Sequence, residues 1–241
     1  MIEINIIIPT LNENENIILL LKDIKKNIPT ASITIIDDSK HNNMEKILEE
    51  NNLNKNIKYF HRINGAGRGS AVLYGFKKML KKKGSQIFIE MDADFSHKPS
   101  ELKQNIRVFK KKKIDLLIAS RYLPKSRIVN WSISRKILSK LSNILAKAIL
   151  NINIKDYTNG FRIYSKKATS LITNKCGKIG DGFIVLSEIL LILNINKFKI
   201  HEVRTVFINR KRGESSVNFK LIMQSLFGLI KLFLIKKKYI N

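Results

Sequence analysis

Short β-rich runs alternate with helical patterns along the first half of the chain, and few folds accommodate that order. Apolar runs typical of buried strands cover Glu3–Pro9, Ser32–Asp37, Ile57–His61, Gln86–Met91 and Leu116–Ser120. Helical patterns lie between them at Glu13–Asn27, Met44–Asn51, Gly69–Lys82 and Ser100–Lys110. This alternation predicts an α/β fold with a mostly parallel central sheet and helices on both faces.

The second half of the chain is patterned differently. Asn130–Leu150 is predicted to be one long helix, and Phe183–Leu193 and Phe219–Ile235 are predicted to be two more. Asp156–Tyr164 is predicted as a loop with a short strand, and Lys199–Phe207 as a strand. The long helix carries an apolar stripe at a spacing of three to four residues, made by Ile137, Leu138, Leu141, Ile144, Leu145 and Ala148.

Polar and acidic residues follow the predicted strands at the point where each strand ends. Pro9 to Glu13 follow the first strand, Asp37-Asp38 end the second, Asp92-Ala93-Asp94 follow the fourth, and Ser120-Arg121-Tyr122 end the fifth. Sheets of this kind bind their ligands at the carboxyl ends of the strands. These residues are therefore predicted to line one site.

The carboxylates of this predicted site have a specific chemical use. Asp92 and Asp94 can converge on one divalent cation, and their hard oxygen ligands suit Mg²⁺ or Mn²⁺ bridging a diphosphate. The alternative is a solvated turn in which an aspartate caps the next helix. Asp38 can accept hydrogen bonds from a nucleobase or a ribose, or it can cap the helix that follows; Glu13 is equally open to donor contact and to capping.

The charge and the cysteine content exclude some classes of protein and suggest others. Lys and Arg number 45 against 19 Asp and Glu, which gives a formal net charge of +26 and attracts polyanions and anionic membranes. A basic nucleic-acid-binding module is a remote alternative, because no RNA-binding, zinc-finger or basic-zipper motif is present. Cys176 is the single cysteine, so no intrachain disulfide can form.

Several motifs together resemble the family-2 glycosyltransferases of GT-A fold, over about residues 3–216. The motifs are IIIPTLNENENI, IIDDS, the stretch Arg62–Ala71, MDADFSHKP and SRY. Trp131-Ser132 with Ser134-Arg135, the loop Asp156 to Arg162, and the segment Arg210 to Ser215 are similar to the polyprenyl-phosphate branch, typified by dolichol-phosphate mannosyltransferase.

The resemblance implies a role for each matching residue. Donor contacts are implied for Pro9, Leu11, Glu13, Ile36, Asp38, Asp92, Ala93, Asp94 and Arg212. Metal ligation is implied for Asp92, Asp94 and Ser96, and contact with the acceptor phosphate for Arg121, Arg135 and Ser139. Asp92, Asp94, Arg121 and Arg135 would be the catalytic set. The chain departs from the family pattern at Leu11, Arg68, Asn159 and Ser216, and in the residues after Asp37-Asp38.

The implied reaction moves a hexose from a nucleotide sugar donor to a polyprenyl or dolichyl phosphate. GDP-mannose is the first donor expected and UDP-glucose the second; a sugar or protein acceptor is the alternative on the same fold. The acceptor phosphate is largely a dianion near pH 7 and can attack without a strong general base. An attack opposite the departing nucleotide inverts the anomeric centre, so positioning and charge neutralisation supply the catalysis.

The chain end suggests contact with a membrane surface. We predict a catalytic domain over residues 1–216, then an amphipathic interfacial helix and basic tail over residues 217–241. Lys220, Gln224, Gly228 and Lys231 form a weakly polar stripe on this apolar helix, and lysines follow it. A core or partner-docked helix is the alternative. No segment reaches the ~20 apolar residues that span a bilayer, so we expect a peripheral protein on the cytoplasmic face, and a separate anchoring subunit stays open.

Overall fold

A computed structural model of the chain describes residues 3–41, 43–53, 57–65, 67–209 and 227–236. Within these ranges the strands are β1 Glu3–Thr10, β2 Ser32–Asp37, β3 Ile57–His61, β4 Ser85–Glu90, β5 Leu116–Ser120, β6 Arg127–Val129, β7 Arg162–Ser165, β8 Ile200–Arg204 and β9 Val206–Ile208. The helices are α1 Asn14–Asn27, α2 Met44–Glu50, α3 Arg68–Leu80, α4 Leu102–Lys111, α5 Ile133–Leu150, α6 Lys166–Lys175 and α7 Ile184–Ile195, and residues 227–236 form an eighth, α8.

The described strands form one large sheet and one small one. The large sheet has the order β3-β2-β1-β4-β7-β5-β8, in which β7 runs antiparallel to both neighbours and the other pairs are parallel. β6 and β9 pair in parallel as a second sheet. The predicted mostly parallel sheet is confirmed, and the carboxyl ends of β1, β2, β4 and β5 lie on one edge.

The core divides into one layer on each face of the sheet. One layer packs α1, α2 and α4 against the sheet, with Ile17, Leu20, Leu21 and Ile24 of α1 fully buried at helical spacing. The other layer packs α3, α6 and α7 on the opposite face. α7 is buried along nearly its whole length, which explains its almost continuous apolar sequence.

The apolar stripe of α5 does not face the core. Ile137, Leu141 and Ile144 are each more than half exposed, at 55%, 51% and 54%, although a stripe of this kind usually marks the buried face of a helix. The buried positions of α5 are instead Asn143, Ala146 and Leu150. The helix therefore presents an apolar surface to its surroundings.

α8 has apolar residues on both of its faces. Leu229 and Leu232 are buried in the core layer beside α7, and a Cβ built on Gly228 would lie 2.6 Å from Ile184. Gly228 thus faces the core, and its predicted place in a polar stripe with Lys231 is wrong. Phe227, Ile230, Phe233 and Leu234 are exposed. Within the described ranges, no helix is long and apolar enough to cross a membrane.

Several predicted bounds change in the structure. The predicted strand Lys199–Phe207 is broken at Thr205, whose buried hydroxyl donates a hydrogen bond to Glu101 at 2.6 Å. The residues after the break form β9, which pairs with β6. β6 has only three residues, too few to show the alternation of apolar and polar residues that marks a strand. α6 was missed because its sequence, KKATSLITNK, combines polar with β-branched residues. The predicted domain boundary after residue 216 lies outside the described residues and stays a prediction.

Candidate active site

The ends of β1 and β2 are held together where the first acids lie. The amide of Asp38 donates to the carbonyl of Thr10 at 3.0 Å. Asp37 is buried and accepts hydrogen bonds from the Thr10 hydroxyl at 3.0 Å, the Ser39 hydroxyl at 2.6 Å and the Tyr59 hydroxyl at 3.1 Å. Burial and the Asp37 charge raise the pKa of Tyr59, which stays a donor. Asp37 therefore holds the ends of β1 and β2 together through these hydrogen bonds, whereas Asp38 lies at the edge of the sheet, where a ligand could reach it.

Asp38 forms a bidentate ion pair with Arg62, which follows β3. Nε and Nη2 of Arg62 donate to the two carboxylate oxygens at 2.6 Å each. A Cβ built on Gly65 would overlap the Asp38 carboxylate, so only glycine permits this approach. Among the described residues, neither Asp38 nor Asp37 caps α2, and its N-cap residue Asn43 makes no side-chain capping hydrogen bond. The alternative capping role is thus wrong.

The Asp92-Ala93-Asp94 turn follows β4 on the same edge. Asp94 accepts a hydrogen bond from the amide of Ser96 at 3.0 Å, and the amide of Asp92 donates to Nδ1 of His97 at 3.1 Å. Nε2 of His97 therefore carries the hydrogen and contacts Oδ1 of Asn159 at 2.9 Å. His97 is buried and stacked on Phe161, with ring centroids 5.2 Å apart. His97 thus orients the turn through these contacts.

Arg68, the first residue of α3, binds the same turn from the other side. Its Nε donates to Oδ1 of Asp92 at 2.7 Å and its Nη1 to Glu90 at 3.1 Å. Its Nη2 donates to the carbonyl of Gly160 at 3.1 Å. Burial alone would lower the pKa of the guanidinium, but the charges of Asp92 and Glu90 raise it, so Arg68 stays charged.

Arg121, at the end of β5, is buried in a network around Asp156. Asp156 accepts from the backbone amide, Nε and Nη2 of Arg121, each at 2.8 Å, and Nη2 also donates to Thr158 at 2.6 Å. Burial alone would raise the pKa of Asp156, but the Arg121 charge and these hydrogen bonds lower it. Burial alone would lower the pKa of the Arg121 guanidinium, but the Asp156 carboxylate and, to a lesser extent, the charge of Asp92 raise it, so Arg121 stays charged.

Trp131 stacks against both predicted acceptor arginines. The guanidinium carbons of Arg121 and Arg135 lie 5.4 Å and 4.4 Å from its ring centroid. Arg135 also donates to Asn209 at 2.9 Å, and Ser139 accepts from the hydroxyl of Tyr122 at 2.7 Å. The structure therefore brings the three predicted acceptor residues to one side of the site.

The remaining predicted donor residues occupy varied positions. Pro9 and Glu13 are partly exposed, and Leu11 is 54% exposed beside them. The side chains of Ile36 and Ala93 lie in the core, so only their main-chain atoms can contact a donor. Arg212 lies outside the described residues and stays a prediction.

Four residues that complete the site were not predicted as site residues, namely Arg62, Arg68, Trp131 and Asp156. Each belongs to a motif quoted above, which is the signal that could have found it. Sequence spacing does not show, however, that Asp156 pairs with a residue 35 positions earlier. These contacts depend on the sheet bringing distant strand ends together.

The turn offers oxygen donors that fit a divalent cation. Asp92 and Asp94 supply carboxylates, and the buried Ser96 hydroxyl has no hydrogen-bond partner among the residues that the structure describes. Such hard oxygen ligands suit Mg²⁺ or Mn²⁺, which keep coordination sites for phosphate oxygens. Within the described ranges no group of three or more His, Cys, Asp or Glu side chains is placed to hold a metal.

Comparison with known proteins adds independent information. The model of the family described as glycosyl transferase family 2 matches residues 5–172. A polyprenol monophosphomannose synthase from Mycolicibacterium smegmatis is 31% identical over 92% of this chain and 83% of its own. An undecaprenyl-phosphate mannosyltransferase from Micrococcus luteus is 28% identical over 93% of this chain and 91% of its own.

Solved structures support the fold at lower identity. Glucosyl-3-phosphoglycerate synthase from Mycobacterium tuberculosis, in complex with Mn²⁺, UDP and glucosyl-3-phosphoglycerate, aligns with a TM-score of 0.68 and 14% identity. The alignment covers 99% of this chain and 80% of that one. The predicted GT-A architecture is thereby confirmed.

Proposed function

Since the chain belongs to glycosyl transferase family 2, we propose that it transfers mannose from GDP-mannose to a polyprenyl phosphate at a membrane surface, with inversion. The two curated relatives, which are similar over most of the chain, carry the names of polyprenyl-phosphate mannosyltransferases. The observation that carries the proposal is the pair Arg121 and Arg135, which both lie over the ring of Trp131. Of the two, Arg121 is near enough to Asp92 for the charge of that carboxylate to raise its pKa.

The donor half of the site is proposed to lie along the edge from Asp38 to Asp94. Asp38 would accept hydrogen bonds from the nucleoside. Asp92, Asp94 and Ser96 would hold Mg²⁺ or Mn²⁺, which would neutralise negative charge on the departing diphosphate. His97 holds the Asp92 main chain in place while the donor is bound.

The acceptor half is proposed to bind a phosphate monoester. Arginine offers a planar, permanently charged group that suits phosphate oxygens. Arg121 is fixed by Asp156, and Arg135 donates to Asn209 and lies over the ring of Trp131. The phosphate attacks as a dianion, so the arginines orient it and hold its charge while no side chain has to remove a proton.

The exposed stripe of α5 supports a lipid acceptor. Arg135 and Ser139 lie on the same helix as Ile137, Leu141 and Ile144, so a bound phosphate would have an apolar surface beside it. Exposed lysines of α5 stand near that stripe and would attract anionic headgroups. We infer that α5, together with the exposed face of α8, contacts the membrane.

Lipid-linked transfer is the direct test. The purified chain is incubated with radiolabelled GDP-mannose or UDP-glucose, undecaprenyl phosphate in mixed micelles, and Mg²⁺, Mn²⁺ or EDTA. We expect label in the organic phase with GDP-mannose and metal, an inverted anomeric configuration by NMR, and loss of label in EDTA.

A matched pair of variants tests the acceptor site. Arg135→Ala should raise the KM for the lipid phosphate at least tenfold, whereas Arg107→Ala, which removes an exposed arginine of α4, should not. Lipid label absent with every donor, from protein that is folded by circular dichroism, contradicts the proposal. Lipid label obtained with UDP-glucose alone would show that the donor is UDP-glucose rather than GDP-mannose, and would leave the proposed acceptor unchanged.

A further inference from the structure

Arg68 places a fixed positive charge on the first acid of the proposed metal site. Its Nε contacts Oδ1 of Asp92 at 2.7 Å, its Nη1 contacts Oε2 of Glu90 at 3.1 Å, and its Nη2 contacts the carbonyl of Gly160 at 3.1 Å. All three guanidinium nitrogens are thus engaged, and the side chain is 13% exposed.

The surroundings hold this cation in place. Glu90 is fully buried, and it also accepts a hydrogen bond from the hydroxyl of Tyr164 at 2.5 Å. The Arg68 guanidinium lies 5.9 Å from the ring centroid of Phe183, which covers it. A guanidinium between two carboxylates does not lose its proton at any ordinary pH, so Arg68 keeps its positive charge beside Asp92.

A divalent cation at Asp92 therefore meets two obstacles. It has to share or replace Arg68 at Oδ1, and it is repelled by the nearby unit charge in a poorly solvated setting. A nucleoside diphosphate removes both obstacles, because its oxygens supply negative charge that the metal and the guanidinium can share.

We propose that Arg68 is a resident counter-cation that suppresses metal binding to the donor-free protein, so that the divalent cation enters together with the diphosphate. Arg68 is then a positioning residue for Asp92, and it sets the order in which ligands bind. The inference rests on the proposed function, since it takes the donor to be a nucleoside diphosphate sugar.

Binding of Mn²⁺ to the full chain measures this directly. The EPR signal of free Mn²⁺ is followed on titration, first with Mn²⁺ alone and then with GDP or UDP present. The unsubstituted chain should bind Mn²⁺ weakly alone and at least tenfold more tightly with nucleotide. Arg68→Met should bind Mn²⁺ alone at least tenfold more tightly than the unsubstituted chain, and Arg68→Lys, which keeps the charge, should restore weak binding.

Gly160→Ala gives a second route to the same state. A Cβ at this position would overlap Nη2 of Arg68, the mobile end of a side chain, and would push the guanidinium off Asp92 without removing its charge. We expect Mn²⁺ affinity to rise several-fold in this variant. It carries the test if Arg68→Met proves unfolded in a thermal melt, because Gly160→Ala keeps the Arg68 charge near the buried Glu90.

Two further variants serve as controls. Arg62→Met breaks an equally short ion pair with Asp38 and should leave the affinity for Mn²⁺ alone unchanged. Asp92→Asn should abolish the tight binding gained in Arg68→Met, which places the bound ion at Asp92.

The outcomes separate this inference from the proposed function. Mn²⁺ affinity that is unchanged or weaker in folded Arg68→Met and Gly160→Ala overturns the role of Arg68, as does tight binding that survives Asp92→Asn. Because no donor sugar or lipid is present, those results leave the transfer reaction untouched. Failure of lipid-linked transfer alongside the expected Mn²⁺ results would contradict the proposed function instead.

Discussion

Replacement of Asp156 by asparagine should destabilise the protein more than any single change on its surface. Asp156 is fully buried and accepts three hydrogen bonds from Arg121, which is itself 8% exposed. Asparagine keeps the shape of the side chain but leaves the Arg121 charge without its counter-ion. Breaking a buried ion pair in this way costs about 3–5 kcal/mol of the free energy of unfolding.

The expected effect on melting follows from the size of the chain. About 2–4 °C are lost per kcal/mol in a domain of this length, so the melting temperature of Asp156→Asn should fall by roughly 6–20 °C. The pKa of Asp156 is lowered in the folded state, so its contribution is complete above the ordinary aspartate pKa of about 3.9 and is lost as pH falls through the lowered value. The stability gap should therefore be the same at pH 7 and pH 5, and should narrow below about pH 4.

Urea unfolding followed by circular dichroism at pH 7 and pH 5 measures this gap. Glu50→Gln is the control, because Glu50 forms an exposed pair with Lys46 at 3.8 Å, and its loss should cost under about 0.5 kcal/mol. A gap below about 1 kcal/mol at pH 7, or one that differs between pH 7 and pH 5, would refute the assignment of Arg121 and Asp156 as a buried charged pair.

Three other changes test separate parts of the site and its surroundings. Trp131→Leu removes the ring that both acceptor arginines contact, and each such contact is worth about 0.5–2 kcal/mol. The KM for lipid phosphate should therefore rise several-fold in initial-rate assays, whereas GDP binding measured by calorimetry should not change. Gly65→Ala places a Cβ against the Asp38 carboxylate, so GDP affinity should fall at least tenfold, and unchanged affinity would argue against Asp38 as a donor contact. Leu141→Glu puts a negative charge into the exposed stripe of α5, so sedimentation with anionic vesicles should decrease without a change in melting temperature. Equal sedimentation would exclude α5 from the membrane contact.

The predictable part of the fold is the part governed by local pattern. β1, β2 and β5 follow the predicted runs because continuous apolar sequence between turn residues specifies a strand buried on both faces. The same logic located the acids at the strand ends, because strand polarity in a parallel sheet fixes which ends share an edge. The position of the Asp92 and Asp94 turn at this edge could therefore be predicted from the sequence.

The sequence did not determine the contacts between distant segments or the orientation of amphipathic helices. The stripe of α5 is plain in the sequence, but only the packing of Asn143 and Ala146 inward shows that the stripe points outward. The partners of Asp92 and Arg121, namely Arg68 and Asp156, come from other strand ends, and periodicity carries no information about such pairs. Local propensity determines where the helices and strands form. Which charged side chains become buried together is determined only when the sheet brings those helices and strands into contact.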